Sequence, residues 1–427
     1  MREDLLQFVW KYKKLQLEQM VTTNNETLII IDVGLHNQQA GPDFFNAKIN
    51  IDGQLWAGNV EIHINSSDWY AHHHEKDMNY ENVVLHVVWK DDMTIYRKDN
   101  TKIPTLELCQ YIPEELLKNY QTLFDKSRIT FINCENEISG IDEFIVNNWL
   151  ERLYIERLEQ KSILVNELLE SSKNDWESVL YTLLLKNFGL KINGESFLSL
   201  AQALDFYIFR KLQKNPLQIE SILFGLTGLL SDDSIIDPYH AVLKNEYHYL
   251  KHKFELDGTG VTVPEFFKLR PPNFPTIRLS QFAILYSENH NLFDKVVKAK
   301  TKADLYKIFE VSANTYWDDH FTFGKRSKKS SKKLTKKFID LLIINTILPL
   351  KFSYAKHLGK DSNESLIAII SSLKKEDNNI LKKFNALGIR IKTAGDSQAI
   401  LQLYNEYCSK NKCLQCSIGS SLLNRNN

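Results

Sequence analysis

Gly41-Pro42-Asp43-Phe44, then Ala47-Lys48-Ile49-Asn50-Ile51-Asp52-Gly53-Gln54-Leu55-Trp56, then Val60-Glu61-Ile62-His63 is the run that decides the fold. Its middle part reads as strand, Asp-Gly turn and strand. A strand alternates its side chains with period two, so Glu61 and His63 share one face. The hairpin then returns Asp43 to the side of Glu61. Two carboxylates and an imidazole are therefore expected to converge on a small sheet.

Working outward, 28–31, 83–89 and 93–97 read as further strands, and 83–88 is almost continuously apolar. That pattern predicts a central strand buried on both faces. Residues 2–21 read as a helix from the recurrence of Leu5, Leu6, Val9, Trp10 and Leu15. Beyond about 138 helical periodicity takes over, with apolar stripes at 144–171, 176–188, 197–212 and 219–230. The expected fold class is α+β: a mixed-sheet domain over 1–110, a linker over 111–137 and a mainly α-helical region over 138–427 that ends in a cysteine motif.

The 427 residues carry 53 basic and 53 acidic side chains, so no net field draws a polyanion from a distance. Any nucleic acid must be held by a local patch. Hydrophobic content of 43% with 25% charged residues fits a soluble globular protein. The start Met1-Arg2-Glu3-Asp4 is not a secretory leader. The longest apolar run, 339–350, is interrupted by Asp340, Asn345 and Pro349, which predicts no membrane span. Five cysteines, three of them within nine residues, do not form a secreted disulfide framework. A cytoplasmic location is expected; oligomeric state is left open.

Asp43 and Glu61 suit a divalent cation. Mg2+ or Mn2+ takes carboxylate oxygens, and the bound ion lowers the pKa of a water. His63 beside them is the candidate to orient or deprotonate that water. Six of the twelve histidines lie within 51 residues of this domain, at 36, 63, 72, 73, 74 and 86. His72 and His74 follow the Glu61 strand and can reach the same cleft, so Zn2+ is an alternative cation. His86, on the apolar strand, reads as a hydrogen-bonded core histidine, and His73 as solvent-facing.

Cys408-x4-Cys413-x2-Cys416 has metal-ligand spacing for zinc or an iron–sulfur cluster, either of which prefers four ligands. Cys134 or Cys109 is the candidate for the fourth, with Cys109 fitting better as an apolar thiol. The single basic run, 325–337, holds eight Lys or Arg, among them Lys325, Arg326, Lys328, Lys329, Lys332 and Lys333. It reads as a solvated mobile loop or as a phosphate contact. Arg270 and Arg278 flank a proline-rich connector. With Thr276 as N-cap, Arg278 would oppose the helix dipole, which calls for a carboxylate or phosphate partner.

Pro42-Asp43 followed by Glu61-x-His63 resembles the core of the PD-(D/E)xK nuclease superfamily, with His63 where that superfamily has lysine. The resemblance implies a metal-dependent nuclease acting on DNA or RNA, with Asp43 and Glu61 on the metal. Along most of its length the chain also resembles an uncharacterised bacterial family, domain-of-unknown-function family 2851. The matching segments include Ala40-Gly-Pro-Asp-Phe44, Ser67-Asp-Trp69, Val84-Leu-His-Val-Val88, Asn273-Phe-Pro-Thr-Ile-Arg278 and Cys416-x-Ile-Gly419. That family implies no activity. Two other functions fit the residues: a non-catalytic nucleic-acid-binding or scaffold protein, and a His-rich zinc hydrolase of a small substrate.

Overall fold

Helix α1 (Glu3–Lys11) opens the chain, followed by strands β1 (Leu28–Asp32), β2 (Leu35–His36), β3 (Phe44–Ile51), β4 (Gln54–Asn65), β5 (Val83–Lys90) and β6 (Thr105–Glu107). These are seen in a computed structural model that describes residues 1–37, 39–360 and 363–425. The strands form one mixed sheet of order β1-β3-β4-β5-β6, with β2 on β3. β1, β3 and β4 pair antiparallel, while β4–β5 and β5–β6 are parallel. The expected α+β class is observed.

Asp52 (φ 47°) and Gly53 (φ 83°) both take left-handed backbone, which the two-residue turn between β3 and β4 requires. The register is then interrupted once. Phe44 faces Val60 and Ala47 faces Gly58, so β3 carries one extra residue there. Asn46 absorbs it at φ 57°, and its amide donates to the Asn59 side chain at 3.3 Å. The bulge lets Phe44 turn inward along with Ala47, Ile49 and Ile51, although two residues rather than one lie between the first two. It also aims the start of β3, and with it Asp43, at β4.

β5 is buried from Val83 to Val88, as a strand covered on both faces must be. Because β4 and β5 run parallel, a crossover has to join them, here residues 66–82. It holds the short helix α2 (Asp68–Ala71) and two 3-10 turns, His74–Lys76 and Met78–Tyr80. Trp69, Tyr80, Val83, Ile95 and Ile103 bury together beneath it.

Two expected elements differ. Residues 93–97 do not form a strand: only Tyr96 bridges Lys102, around a turn with Asn100 at φ 64°. Asp92 at their start is instead spent on Ser66 and Ser67, tying down the crossover. The first helix stops at Lys11. Lys13 turns left-handed (φ 49°) and the Lys14 amide reaches back to the Val9 carbonyl, a Schellman closure. The Lys13 ammonium then donates to the Ile30 and Ile31 carbonyls. Leu15, which prolonged the helical pattern in sequence, is buried outside the helix.

The chain divides into two compact units. One is Met1–Trp149 with Ala386–Ile389 and Leu403–Asn427; the other is Leu150–Asn385 with Arg390–Gln402. The first unit also contains α3 (Glu114–Leu123), whose Asn119 amide donates to the Leu423 carbonyl. Helix α4 runs Glu143–Ser171, and α5 (Trp176–Phe188), α6 (Leu190–Ala203), α7 (Phe206–Leu212), α8 (Pro216–Leu226), α9 (Pro238–Phe254) and α10 (Pro275–Glu288) follow. The expected single stripe over 197–212 is split because Asp205 caps α7, accepting from the Tyr207 amide at 2.7 Å. Lys336–His357 is the one helix among the described residues long and apolar enough to cross a membrane, and 72% of its apolar window is buried inside the protein.

Gly34 supplies a test of this frame. It sits at φ +86°, and a Cβ there would lie 2.5 Å from the Phe45 carbonyl oxygen, beside the bulge. Gly34→Ala is expected to lower stability by roughly 1–3 kcal/mol. Gly53→Ala, with the same backbone requirement and nothing within 4 Å, should cost less. Urea unfolding of the two variants measures the difference.

Candidate metal centre

The bulge, the hairpin and the crossover deliver their side chains to one place. The loop before β3 is clasped by Asn37, whose side-chain amide donates to the carbonyls of Gln39, Ala40 and Pro42. Asp43 emerges from that loop and is held at both oxygens. Oδ1 accepts from Gln7 Nε2 at 2.8 Å and Oδ2 from the Ile62 amide at 3.0 Å. In return the Asp43 amide donates to Glu61 Oε2 at 3.1 Å. This leaves Glu61 Oε1 pointing at histidines: His63 Nε2 and His74 Nε2 each stand 3.4 Å away.

His63, His72 and His74 form the one group of three among the described residues whose ligand atoms lie within 4.8 Å of one another. His63 comes from β4 and is 2% exposed; His72 and His74 come from the crossover. His73 between them is exposed and left-handed (φ 61°), a backbone state a non-glycine residue seldom adopts. That reversal sends His72 and His74 back to the same site. His72 Nδ1 is 3.1 Å from His63 Nε2. His72 is the exposed member, so the site opens to solvent on its side.

The site is walled by rings. His74 stacks on Tyr80 at 3.8 Å and lies edge-on to Trp69 at 5.4 Å. His86, on the neighbouring strand, bonds His63 Nδ1 through its Nε2 at 2.8 Å. It is the hydrogen-bonded core histidine that its strand context suggested, and it fixes the His63 ring. If His63 donates that proton, its Nε2 presents a lone pair to the centre, the tautomer a metal ligand needs.

Burial sets the charges. It raises Asp43 and Glu61 well above the usual carboxylate range, helped for Asp43 by Glu61 and for both by Glu3. Burial and the neighbouring histidines push His63 down to about 2, and His86 is pushed down to about 3. His74 is lowered by burial as well. Burial thus favours the neutral form of His63, His74 and His86, and of two carboxyls that resist ionisation until a cation arrives.

Glu3 and Gln7, one turn apart on α1, are functional neighbours that the sequence reading did not single out. Gln7 holds Asp43, and the Ile64 amide donates to Glu3. Their i, i+4 spacing on the polar side of an otherwise apolar helix was the available signal.

The basic candidates lie elsewhere, in the second unit. Lys325 and Arg326 form a short strand pairing with His320–Thr322, and Lys333 bridges Ser312. This anchoring replaces the free loop that the serine-rich composition suggested. Lys328 and Lys329 are exposed, as is Arg270. Lys332 is not available to a phosphate: it is 7% exposed and donates to the Asp318 and Ser330 carbonyls. Nor is Arg278, which is 5% exposed, bonds Gln281 and Asn273, and lies 3.5 Å over the Phe338 ring. Its helix begins at Pro275 with Phe274 as cap, so Thr276 is spent on the Phe321 carbonyl instead.

A family model described as "Protein of unknown function (DUF2851)" matches residues 3–379. The chain belongs to that family. No curated protein and no solved structure matches it. Of the segments noted above, Ala40–Phe44, Ser67–Trp69 and Val84–Val88 supply Asp43, Trp69 and His86 to the centre.

The raised carboxyls give a pH prediction for the metal-free protein. An acid whose folded pKa exceeds its unfolded value holds its proton better when folded, so stability falls as pH rises toward the folded value. The depressed His63 and His86 do the reverse, losing stability as pH falls below about 6.5. Above that, of the centre's groups only the carboxyls act; elsewhere burial lowers Lys161 and Lys351 and raises Glu220, so the comparison is made between variants. In chelator, the stability of the wild type relative to Glu61→Gln is expected to decline as pH rises above about 6.5. Thermal melts across that window test it.

Proposed function

We propose that this protein is a metal-dependent hydrolase whose cation is held by His63, His72 and His74, with Glu61 as the proton acceptor beside it. The convergence of three imidazole ligand atoms within 4.8 Å carries the reading. Tetrahedral zinc with bonds of about 2.0–2.1 Å spaces its ligands about 3.4 Å apart. His72 Nδ1 to His63 Nε2, at 3.1 Å, is close to that spacing. Neutral nitrogen donors select zinc, or manganese with carboxylate help, over magnesium.

The cation's contribution when bound is to lower the pKa of a water to near neutrality. The protein's own residues supply the rest. Glu61 Oε1 lies 3.4 Å from two of the nitrogens, where it can take that water's proton. Asp43 and Gln7 hold Glu61's strand and backbone in register. His86 locks the His63 ring, and exposed His72 marks the mouth for substrate.

A nuclease of the PD-(D/E)xK kind is the second reading, favoured by the meeting of Asp43 and Glu61 at adjacent strands. In that reading His63 replaces a lysine. A neutral, 2%-exposed imidazole cannot supply the positive charge of an ammonium, so His63 serves better as a ligand. DNA or RNA as substrate, a cytoplasmic site of action and a scaffold role remain alternatives to be separated by assay.

Metal titration of the chelated protein should give one tight Zn2+ or Mn2+ equivalent at this centre. His72→Ala is expected to weaken it at least about tenfold, and His86→Ala about 10–100-fold by freeing the His63 ring. Hydrolysis of a chromogenic phosphodiester should need the metal and fall about 10²–10⁴-fold in Glu61→Gln. Cleavage of single- or double-stranded nucleic acid in the same assay would favour the nuclease reading. Unchanged zinc binding in His72→Ala would sink the proposal.

A further inference from the structure

Cys134, Cys408, Cys413 and Cys416 line a single cavity in the first unit, and Cys109 does not: its thiol is 3.0 Å from Glu107. The four come from two distant stretches of chain that the fold brings to one cavity. Burial comes first in raising all four thiols, and neighbouring cysteines add to it for Cys134, Cys408 and Cys413.

We infer that this cavity holds an iron–sulfur cluster ligated by these four cysteines, independently of the histidine centre. The four cysteines line this cavity, and Ile132, Ile138, Leu403 and Ile418 complete an apolar wall. Four thiolates in such a wall are the ligand set of a cluster, whose potential burial and hydrogen bonds to sulfur would set.

Hydrogen bonding supplies the second, independent observation. Asn133 Nδ2 donates to Cys413 Sγ at 3.2 Å. Cys416 Sγ faces the amides of Ile418 and Gly419 and the Trp149 indole N–H. Donors aimed at sulfur stabilise thiolates and tune cluster potentials, and they return little to a neutral thiol. Gly419 is required for this geometry, because a Cβ would meet the Cys413 carbonyl oxygen at 2.2 Å. On ligation each thiol releases its proton to solvent and forms an Fe–S bond, which offsets the cost of ionising a sulfur in an apolar wall.

Full-length protein isolated without oxygen, or reconstituted with ferrous iron and sulfide, tests the inference. Expected are two or four irons per chain with matching acid-labile sulfide and charge-transfer absorption that bleaches on reduction. Cys408→Ser and Cys416→Ser should each lose at least about tenfold of the iron, while Cys109→Ser keeps it. Should the first two misfold, Asn133→Ala offers another reading: an intact cluster with a shifted reduction potential. Wild-type protein without iron and sulfide after reconstitution would overturn the proposal. So would zinc in their place that is kept in His72→Ala and released by Cys408→Ser.

Discussion

Glu61 is a carboxyl group only 6% exposed, in the middle of a sheet, whose ionic partners among the described residues are two histidines. Those histidines are pushed towards the neutral form by burial, so they do not neutralise it. Leaving an ionised carboxylate in that position would cost several kcal/mol. The fold can keep it protonated, or it can bring a cation. Everything around the position is arranged as though for the second option, since a group meant only for packing would be replaced by an apolar one of similar size.

That constraint explains features that are otherwise expensive. A bulge in β3 and a left-handed Asn46 are needed to aim Asp43 at β4. A left-handed His73 is needed to turn two neighbours of opposite direction toward one point. Each such residue costs on the order of 1 kcal/mol or more. They occur at the loop before β3 and in the β4–β5 crossover, the two segments that supply the centre, while the sheet's apolar face is regular. The crossover is obligatory for a parallel pair, so the ligands ride on a connection the topology demanded anyway.

Much of this was legible. Period-two alternation placed Glu61 and His63 on one face, the Asp-Gly turn returned Asp43, and the apolar run at 83–88 marked the central strand. What could not be read were interactions depending on three-dimensional closure. Leu15 continued a helical pattern that Lys13 had already ended. Arg278 looked like an exposed cation opposing a dipole, but the proline-rich turn folds Asn273 under it and Phe338 covers it. Lys332 sat in a charge run, and only the fold shows it turned inward onto carbonyls. The roles of Glu3 and Gln7 depended on α1 lying against β4, a contact with no local signature.

α1 is also the element that joins the two candidate sites within the first unit. Gln7 and Glu3 serve the histidine centre. On either side of Glu3 in the chain, the Arg2 and Asp4 charges act on the Cys413 thiol, and burial and Asp4 raise Tyr120. The two donor sets differ in kind: neutral nitrogen and carboxylate oxygen on one side, thiolate sulfur on the other. Such sets sort metals by softness, so they can be loaded separately in one unit. A helix nine residues long, pinned by Leu5, Leu6, Phe8, Val9 and Trp10 in the core, is too short and too well packed to adjust one end without the other. The same short helix thus borders both donor sets, with no residue shared between them as a ligand.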